Sequence, residues 1–462
     1  MIKLLFSIAV VHFVMANIIA LLLLIAASVS VWRRWQQTLR REPTREPSPL
    51  MLPLSAVLPA FNEKDSVVDS VLALLNSNVP ELEIIVVDDG STDGTASRMQ
   101  SHFEMTPIQP VHQELLETEP VREVLRSQTN PNVWLICKEN GGKADAVNAG
   151  VNLARYRYVL VSDADSIFEP GALHSALTTL GFNAGEHVGM GGMLRVRNGM
   201  QIKDGRVVAQ RLPSSLLGQF QVAEYMGAMA GSRAGWNSIN GVPVLSGAYG
   251  IWRRDVLLEL GGMTRETTHE DIEFTFRVHE HFRRLGKPYM ISTMPDSVVL
   301  TEAPHRWIDL YRQRKRWQRV VLECAWRYRR MIGNPRYGEM GTITMPYIVV
   351  FEALGPLIEF TTFVLVILLA IQGLLSAQVF GLFLIFAASL VALTRIVAIV
   401  IDSALYHRFP PHALWRLSLV ALLEFFIYRP VILVARMMAW PEFFLGRKTW
   451  ERARREPAPA SA

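Results

Sequence analysis

The sequence is poor in cysteine and in charge. Its two cysteines, Cys137 and Cys324, stand far apart, with neither metal-site spacing nor a disulfide framework, which fits reducing surroundings. Charged residues make up only 19% of the 462 residues and the formal net charge is +5, so charge alone indicates no nucleic-acid partner. A hydrophobic content of 50% and a mean hydropathy of +0.20 are too apolar for an ordinary soluble protein. Part of the chain is therefore expected to lie in a bilayer.

An apolar run near the N-terminus predicts a membrane span. Leu4 to Trp32 exceeds the ~20 residues that a helix needs to cross the hydrocarbon core. Arginines follow this run and only Lys3 precedes it, so the positive-inside rule predicts that Met1 lies outside and the following chain in the cytoplasm. A cleaved signal peptide is the alternative, but its apolar region would be shorter and basic residues would lead it.

Between residues 54 and 302 the pattern is that of a water-soluble α/β domain. Four continuous apolar runs alternate with helical periodicity, which predicts a mostly parallel sheet flanked by helices with right-handed crossovers. The runs are Ala56–Pro59, Ile84–Val87, Val133–Cys137 and Val159–Val161. Residues 101–132 break this pattern, and we expect an irregular insertion with a short helix at Glu114–Glu117. A hairpin turn is predicted at either Asn198-Gly199 or Asp204-Gly205.

Acidic residues end two of these runs. Asp88-Asp89 follows the second run, and Asp163-Ala164-Asp165 follows the fourth. Because ligands of open α/β sheets collect at the carboxyl ends of the strands, these carboxylates are expected at the mouth of a site. Acidic residues also serve as ordinary turn and cap groups, which is the alternative for each motif alone. The same alternative applies to Glu270-Asp271, which opens a predicted amphipathic helix, Ile272 to Phe282.

The rest of the chain predicts an interface helix followed by a membrane region. Tryptophans and arginines interleave over His305–Arg330, as in a basic helix lying on anionic lipid. Three apolar stretches that are each long enough to span a membrane follow. Three simple spans would leave the C-terminus outside, whereas its basic residues favour the inside, so the third stretch is expected to be broken or re-entrant. The stretches are Met345–Gln372, Val379–Ile401 and Leu414–Trp440. The predicted segments are 1–33 (membrane span), 34–53 (proline-spaced linker), 54–302 (α/β domain), 303–340 (interface helix region), 341–445 (C-terminal membrane region) and 446–462 (basic tail).

Charged side chains inside these apolar stretches are costly in hydrocarbon and should face protein or water. Two hypotheses follow: some of them line a water-filled channel, or they pair with one another or reach the interface near helix ends. They are Glu352, Glu359, Arg395, Asp402, Glu424 and Arg429.

The order of motifs resembles the membrane-integrated processive glycosyltransferases of family 2, the cellulose, hyaluronan and poly-β-1,6-N-acetylglucosamine synthases, and most of all the last group. Besides the acids, the resemblance rests on five further motifs. They are Asn140–Ala144, Ser246–Gly250, Thr301–Pro304, Gln313-Arg314-Lys315-Arg316-Trp317 and Asn334–Gly338. It implies a GT-A-type cytoplasmic domain inserted between transmembrane helices, and a UDP-sugar donor.

The resemblance also implies roles for individual residues. A diphosphate leaving group needs a hard cation, so Asp165, with Asp163, is the expected Mg²⁺ or Mn²⁺ site. Asp271 is the expected catalytic base, with Glu270 as an orienting group; His269 stands where the family usually has threonine, which bears on the pH range of the base. Nucleotide-sugar contacts are expected from Pro59, Asn62, Glu63, Asp89, Lys143, Asp163, Gln313, Arg316 and Trp317. Acceptor contacts are expected from Ser246, Gly247 and Trp317.

The function implied is an inverting, processive transferase that elongates a β-linked exopolysaccharide and exports it across the bacterial inner membrane. The expected partners are a UDP-sugar, with UDP-N-acetylglucosamine favoured by resemblance only, the polysaccharide acceptor, the lipid bilayer and accessory export or regulatory subunits. Two alternatives remain, a non-processive transferase acting on a lipid or lipid-linked acceptor and an inactive membrane scaffold. The Gln-x-x-Arg-Trp motif and the long membrane region argue against the first, and intact acidic motifs against the second.

Overall fold

A computed structural model describes residues 2–39, 51–109, 114–182, 185–228, 234–267, 269–374, 376–406 and 409–446. The proline-spaced stretch Glu42–Pro49 and the basic tail from residue 447 lie outside these ranges. The strands are β1 Leu54–Ala60, β2 Leu82–Asp88, β3 Met105–Ile108, β4 Val121–Ser127, β5 Val133–Lys138, β6 Tyr158–Val161, β7 Ile167–Phe168, β8 His187–Val196, β9 Gln201–Lys203, β10 Arg206–Ala209, β11 Gly250–Arg253 and β12 Met290–Thr301.

The helices run through both the sheet-forming and the apolar parts of the chain. They are α1 Ile2–Leu39, α2 Val67–Leu75, α3 Thr95–Phe103, α4 Lys143–Leu153, α5 Ala172–Phe182, α6 Leu216–Gly227, α7 Ala234–Trp236, α8 Arg254–Glu259, α9 Glu270–Leu285, α10 Trp307–Arg327, α11 Met345–Tyr347, α12 Gly355–Ile371, α13 Ala377–Tyr406, α14 Pro411–Leu423 and α15 Arg429–Phe444. Short 3₁₀ turns occupy Asn237–Ile239, Arg329–Met331 and Pro335–Tyr337. Met340–Thr344, Ile348–Ala353 and Glu424–Tyr428 are π-helical turns.

The chain divides into two compact units. We call Gln37–Gln210 with Val242–Glu302 the sheet unit, and Met1–Gln36 with Arg211–Gly241 and Ala303–Pro457 the helical unit. The segment Arg211–Gly241, which carries α6, lies inside the predicted 54–302 domain but clusters with the helical unit.

The sheet unit is built on a ten-stranded sheet of order β3-β4-β5-β2-β1-β6-β11-β8-β12-β7. The four predicted apolar runs form its parallel block, β5-β2-β1-β6, and their side chains are buried on both faces. The sheet as a whole is mixed, with four parallel and five antiparallel pairings. The α/β fold with flanking helices expected from the sequence is confirmed, but the sheet is mixed rather than mostly parallel, because β4, β7 and β11 run antiparallel to their neighbours.

Two local predictions meet different outcomes. The prediction of a short helix within residues 101–132 is wrong, because Glu114–Glu117 is not helical. The described part of this insertion instead forms β3 and β4. The hairpin turn lies at Asp204-Gly205, the second of the two predicted positions. Both turn residues have positive φ (51° and 71°), as a two-residue turn with the right twist requires.

Among the residues that the structure describes, the helical unit contains four helical segments that are long and apolar enough to cross a membrane. They are Val10–Val29, Met340–Ile371, Ala377–Ala404 and Pro411–Phe444. The third predicted C-terminal stretch is a helical run that continues through the π-turn Glu424–Tyr428, so the break expected there is not found. A π-turn shifts the side-chain register without interrupting the helix.

Candidate active site

The loops after β1 and β2 are tied to each other. Asn62, at φ 57°, accepts a hydrogen bond from the Thr92 backbone nitrogen (2.7 Å) and donates its own backbone N–H to Ser91 Oγ (2.9 Å). The Glu63 backbone nitrogen donates to Thr95 Oγ1 at 2.8 Å. Asn, among non-glycine residues, tolerates this left-handed backbone best, which explains its place at the turn. The predicted nucleoside wall from Pro59 to Glu63 therefore stands beside the loop that follows Asp89.

Asp89 organises the loop that leads into α4. Its Oδ1 accepts from the Gly141 backbone nitrogen (3.0 Å) and from Lys138 Nζ (2.9 Å). Its Oδ2 accepts from the Gly142 nitrogen at 2.8 Å. Asp89 is buried, so these charge-assisted bonds fix the path of the loop that delivers Lys143. Whether Asp89 also contacts a nucleobase stays a prediction.

Lys138 and Asp145 are structural residues of the site that the sequence reasoning missed. The Lys138 ammonium is buried between Asp89 and Asp145, whose Oδ1 lies 2.5 Å from Nζ. Asp145 also pairs with Arg265 and accepts from the Glu119 backbone nitrogen. A buried lysine is costly unless paired, so a lysine ending an apolar strand was the available signal.

Asp163 and Asp165 follow β6, as predicted, and their loop is held from two sides. Ser162 Oγ donates to the Ala248 carbonyl (2.9 Å), and Ser70 Oγ donates to the Ala164 carbonyl (2.9 Å). Burial, and then the Asp163 carboxylate and Glu302, raise the pKa of Asp165 to about 7, against the opposing effect of Arg197 and Lys143. The loop thus concentrates negative charge, which is the environment in which a bound cation is stabilised.

Lys143 links Asp163, a predicted metal ligand, to the start of α9, the helix that carries the predicted base. Its Nζ lies 2.5 Å from Asp163 Oδ1 and 3.2 Å from Glu270 Oε1. Burial lowers the pKa of the Lys143 ammonium, but the carboxylates of Asp163, Glu270 and Asp271 together raise it above its ordinary range. The residue is therefore a fixed positive charge within a group of carboxylates, and its side chain remains 35% exposed.

Asp271 and the Ser246–Gly250 loop meet at the N-terminus of α9. Asp271 Oδ2 accepts from the Gly247 backbone nitrogen (2.7 Å), and Oδ1 accepts from the Ile272 nitrogen (2.8 Å). Glu270 is buried, whereas Asp271 is partly exposed. The two backbone donors fix the orientation of the Asp271 carboxylate, and its partial exposure leaves it accessible to an incoming hydroxyl.

Gly247 makes the close approach of these groups possible. A Cβ there would stand 2.6 Å from Lys143 Nζ, 3.4 Å from Asp271 Oδ2 and 3.6 Å from Glu270 Oε1. Any side chain would intrude among the three charged groups. The structure therefore brings together five of the predicted residues, namely Lys143, Asp163, Gly247, Glu270 and Asp271.

The predicted residues Gln313, Arg316 and Trp317 lie on α10 in the helical unit, and each is partly buried. Gln318, which follows them, has a clear structural role. Its Nε2 donates to the Glu352 and Ala353 carbonyls (2.9 and 3.2 Å), and its Oε1 accepts from Arg436 Nε (2.6 Å).

Several of the charged residues expected in the apolar stretches form ion pairs with described partners. Glu359 pairs with Arg429 (2.5 Å) and Glu424 with Arg395 (2.6 Å). Glu352 pairs with Arg436 (2.9 Å). Glu359, Arg429, Glu424 and Arg395 therefore pair with one another, as the pairing hypothesis expects, whereas Glu352 pairs with a residue outside the predicted set. Pairing lowers the cost of placing their charge in an apolar region.

The mixed sheet and its acidic loops define the class, a GT-A-type glycosyltransferase domain. One solved structure with this fold, a mannosyltransferase from Pyrobaculum calidifontis in complex with GDP-Man and Mn²⁺, has a TM-score of 0.55 and 17% identity, covering 96% of this chain and 100% of that one. The family model described as "Glycosyltransferase like family 2" matches residues 52–319, more than half of the sequence. The chain therefore belongs to glycosyltransferase family 2.

Curated relatives in this family are poly-beta-1,6-N-acetyl-D-glucosamine synthases. The Staphylococcus epidermidis protein is 25% identical over 278 residues, which cover 59% of this chain and 56% of that protein. The Staphylococcus aureus (strain MSSA476) protein is 24% identical over 265 residues, covering 57% of this chain and 53% of that protein. The chain thus spans little more than half the length of these relatives.

Proposed function

We propose that the protein is an inverting, processive polysaccharide synthase that transfers sugar from a UDP-sugar, with UDP-N-acetylglucosamine favoured, to a growing β-linked polymer. The observation that supports this most is the cluster in which Lys143 joins Asp163 to Glu270 while Gly247 holds Asp271. In this cluster the acids on the donor side, Asp163 and Asp165, lie near the base on the acceptor side, Asp271. The likeness to synthases supports the choice of sugar.

A divalent cation, Mg²⁺ or Mn²⁺, fits the donor side of this cluster. Within the described ranges no three or more His, Cys, Asp or Glu side chains form a metal-binding group. Two carboxylates are nevertheless a suitable set for a hard cation that also takes phosphate oxygens and water. Burial is the largest cause of the raised pKa of Asp165, and the neighbouring Asp163 carboxylate adds to it. Asp165 and Asp163 would hold the cation, which would neutralise charge on the departing diphosphate.

The residues of this chain would then carry the transfer. Asp271 would accept the proton of the acceptor hydroxyl as that oxygen forms its bond to the anomeric carbon. The bond from that carbon to the diphosphate breaks, and its electron pair leaves with UDP. Gly247 N–H would hold Asp271 in place, and Lys143 would fix Glu270 and Asp163 on either side. Attack opposite to the leaving group inverts the anomeric configuration.

The remaining predicted residues take the roles implied by family likeness. Asp89, Pro59, Asn62 and Glu63 would border the nucleoside. Gln313 and Arg316 would contact the diphosphate, and Trp317 would stack on the terminal sugar of the acceptor, with Ser246 beside it. The sheet unit would face the cytoplasm, the N-terminus would face outward, and the helical unit would carry the polymer across the inner membrane, with accessory subunits.

The test is a donor panel. Purified protein in lipid nanodiscs is incubated with individual UDP-sugars and Mg²⁺ or Mn²⁺, and the products are sized. We expect long polymer with one N-acetylated donor and none without the divalent ion. Addition of a single sugar to a lipid acceptor would identify the non-processive alternative. Failure of every donor would refute the proposal.

A further inference from the structure

A buried polar cluster in the helical unit surrounds Glu224 of α6. Arg314 Nη2 donates to Glu224 Oε2 at 2.6 Å, and the Tyr428 hydroxyl donates to the same oxygen at 2.5 Å. Arg314 and Tyr428 come from α10 and from the π-turn Glu424–Tyr428, so one carboxylate connects three segments. No role in transfer was assigned to Glu224, Arg314 or Tyr428, although Arg314 lies within the Gln313–Trp317 motif.

The main chain of Glu224 is anchored as firmly as its side chain. Arg395, on α13, donates through Nη1 to the Glu224 carbonyl (3.2 Å) while it pairs with both oxygens of Glu424. Gly227 allows this approach, since a Cβ there would lie 2.4 Å from Arg395 Nη1. Glu224 is thus fixed relative to two of the segments long enough to cross a membrane.

Arg314, which Glu224 holds in place, contacts the Trp317 indole ring. The two residues are three apart on α10 and share a face, and the Arg314 guanidinium carbon lies 4.2 Å from the centroid of the indole ring. This separation is well within the range of a cation–π contact. Because Arg314 is only 6% exposed and is held by Glu224, its planar face restricts where the indole can lie.

We propose that Glu224 and Arg314 are positioning residues that hold the Trp317 indole in the orientation needed to stack on the acceptor sugar. The inference rests on the proposed function for the role of Trp317, but not for the contact itself. It makes the acceptor platform dependent on the packing of α6, α13 and the Pro411–Phe444 segment.

The same helix supplies a matched control. Arg319 pairs with Glu323 at 2.8 Å, and the two side chains are 5% and 19% exposed, against 6% and 22% for Arg314 and Glu224. Glu323→Gln therefore removes the same charge from an equally buried pair on α10 without touching the Arg314–Trp317 contact. A general loosening of α10 would affect both variants alike.

The experiment uses the full chain, labelled with 5-fluorotryptophan, in nanodiscs. The ¹⁹F resonance of Trp317 is assigned by its loss in Trp317→Phe. We expect Glu224→Gln and Arg314→Met to shift or broaden this resonance and Glu323→Gln to leave it unchanged. Arg314→Lys keeps the charge but not the planar face, so it should also move the resonance. If Arg314→Met fails to fold, Glu224→Gln and Arg314→Lys carry the test.

Kinetics supply the second readout. With a β-linked N-acetylglucosamine oligosaccharide as acceptor, the acceptor KM of Glu224→Gln should rise about three- to tenfold, the range of a lost cation–π contact, with the donor KM unchanged. A stationary Trp317 resonance, an equal response in Glu323→Gln, or parallel changes in both KM values would overturn the inference. If the wild-type protein transfers no sugar, the proposed function fails, while the resonances still decide whether Glu224 and Arg314 position Trp317.

Discussion

At the scale of single residues, the candidate site is defined by an imbalance of charge. One ammonium, Lys143, stands among the carboxylates of Asp163, Asp165, Glu270 and Asp271. A diphosphate would add further negative charge, so a cation on the donor side is what makes binding favourable. Lys143 separates the donor-side acids from the base, which lets neighbouring carboxylates serve different purposes.

Asp271→Asn should abolish transfer while leaving donor binding intact. An amide cannot accept the hydroxyl proton, and loss of a general base costs about 10²- to 10⁴-fold in rate. The Gly247 N–H can still donate to the amide oxygen, so the loop should keep its place. The measurement is polymer synthesis beside UDP binding by calorimetry. Glu280→Gln, further along α9, is the control, and near-normal synthesis by Asp271→Asn would show that another residue is the base.

Asp165→Asn should weaken metal-dependent binding of UDP. Loss of one of two carboxylates should raise the dissociation constant for UDP with Mn²⁺ roughly a hundredfold, while binding without Mn²⁺ changes little. Calorimetric titration with and without Mn²⁺ measures the difference directly. Asp65→Asn, an exposed aspartate of the same unit, should bind as the wild type does. Equal loss in both metal conditions would assign Asp165 a purely structural role.

At the scale of elements, the parallel block was predictable because its strands are continuous apolar runs. The edge strands were not. β3 contains Pro107 and exposes much of its surface, and such a sequence resembles a loop. Proline is tolerated because β3 is an edge strand, and among the described residues no strand pairs with its outer row of backbone groups. A strand defined by its partner rather than by its own residues cannot be read from local pattern.

Helix α9 carries the predicted base, and its buried His279 makes its packing sensitive to acid. His279 Nε2 donates to the Val242 carbonyl (2.9 Å), so the neutral ring must accept from the Tyr289 hydroxyl through Nδ1 (2.6 Å). Burial lowers the pKa of His279 to about 4, and the nearby Arg283 adds to the decrease while the bond to Val242 opposes it. Protonation of His279 would place a charge in the core and remove the acceptor for the Tyr289 hydroxyl, so it would destabilise the packing of α9.

The sheet unit should lose stability as the pH falls from 6.5 towards 4. In that window the unfolded chain binds a proton at His279 and the folded chain does not, so the stability present above pH 6.5 is lost on acidification. The pKa difference corresponds to about 3 kcal/mol. Thermal unfolding across this range should show a steeper decline for the wild type than for His279→Gln. Parallel curves would mean that other groups control the acid response.

At the scale of the whole molecule, hydropathy locates the membrane segments but not their partners. All four candidate segments were visible as apolar runs, since length and composition suffice. The pairing of Glu359 with Arg429 and of Glu424 with Arg395 was not, because residues far apart in sequence become neighbours only after the helices pack. The positions of Lys138 beside Asp89 and of Gln318 beside Arg436 are of the same kind.

Export of the polymer is the prediction that belongs to this scale. Protein is reconstituted in sealed vesicles, and only molecules whose sheet unit faces the outer solution can use radiolabelled donor supplied there. If synthesis and translocation are coupled, long product should be enclosed and resist an added glycosidase until detergent opens the vesicles. Asp271→Asn vesicles provide the background, and Glu323→Gln vesicles should behave as the wild type does. Product that is long but digested without detergent would separate polymerisation from export, and the ion pairs of the helical unit would then serve packing alone.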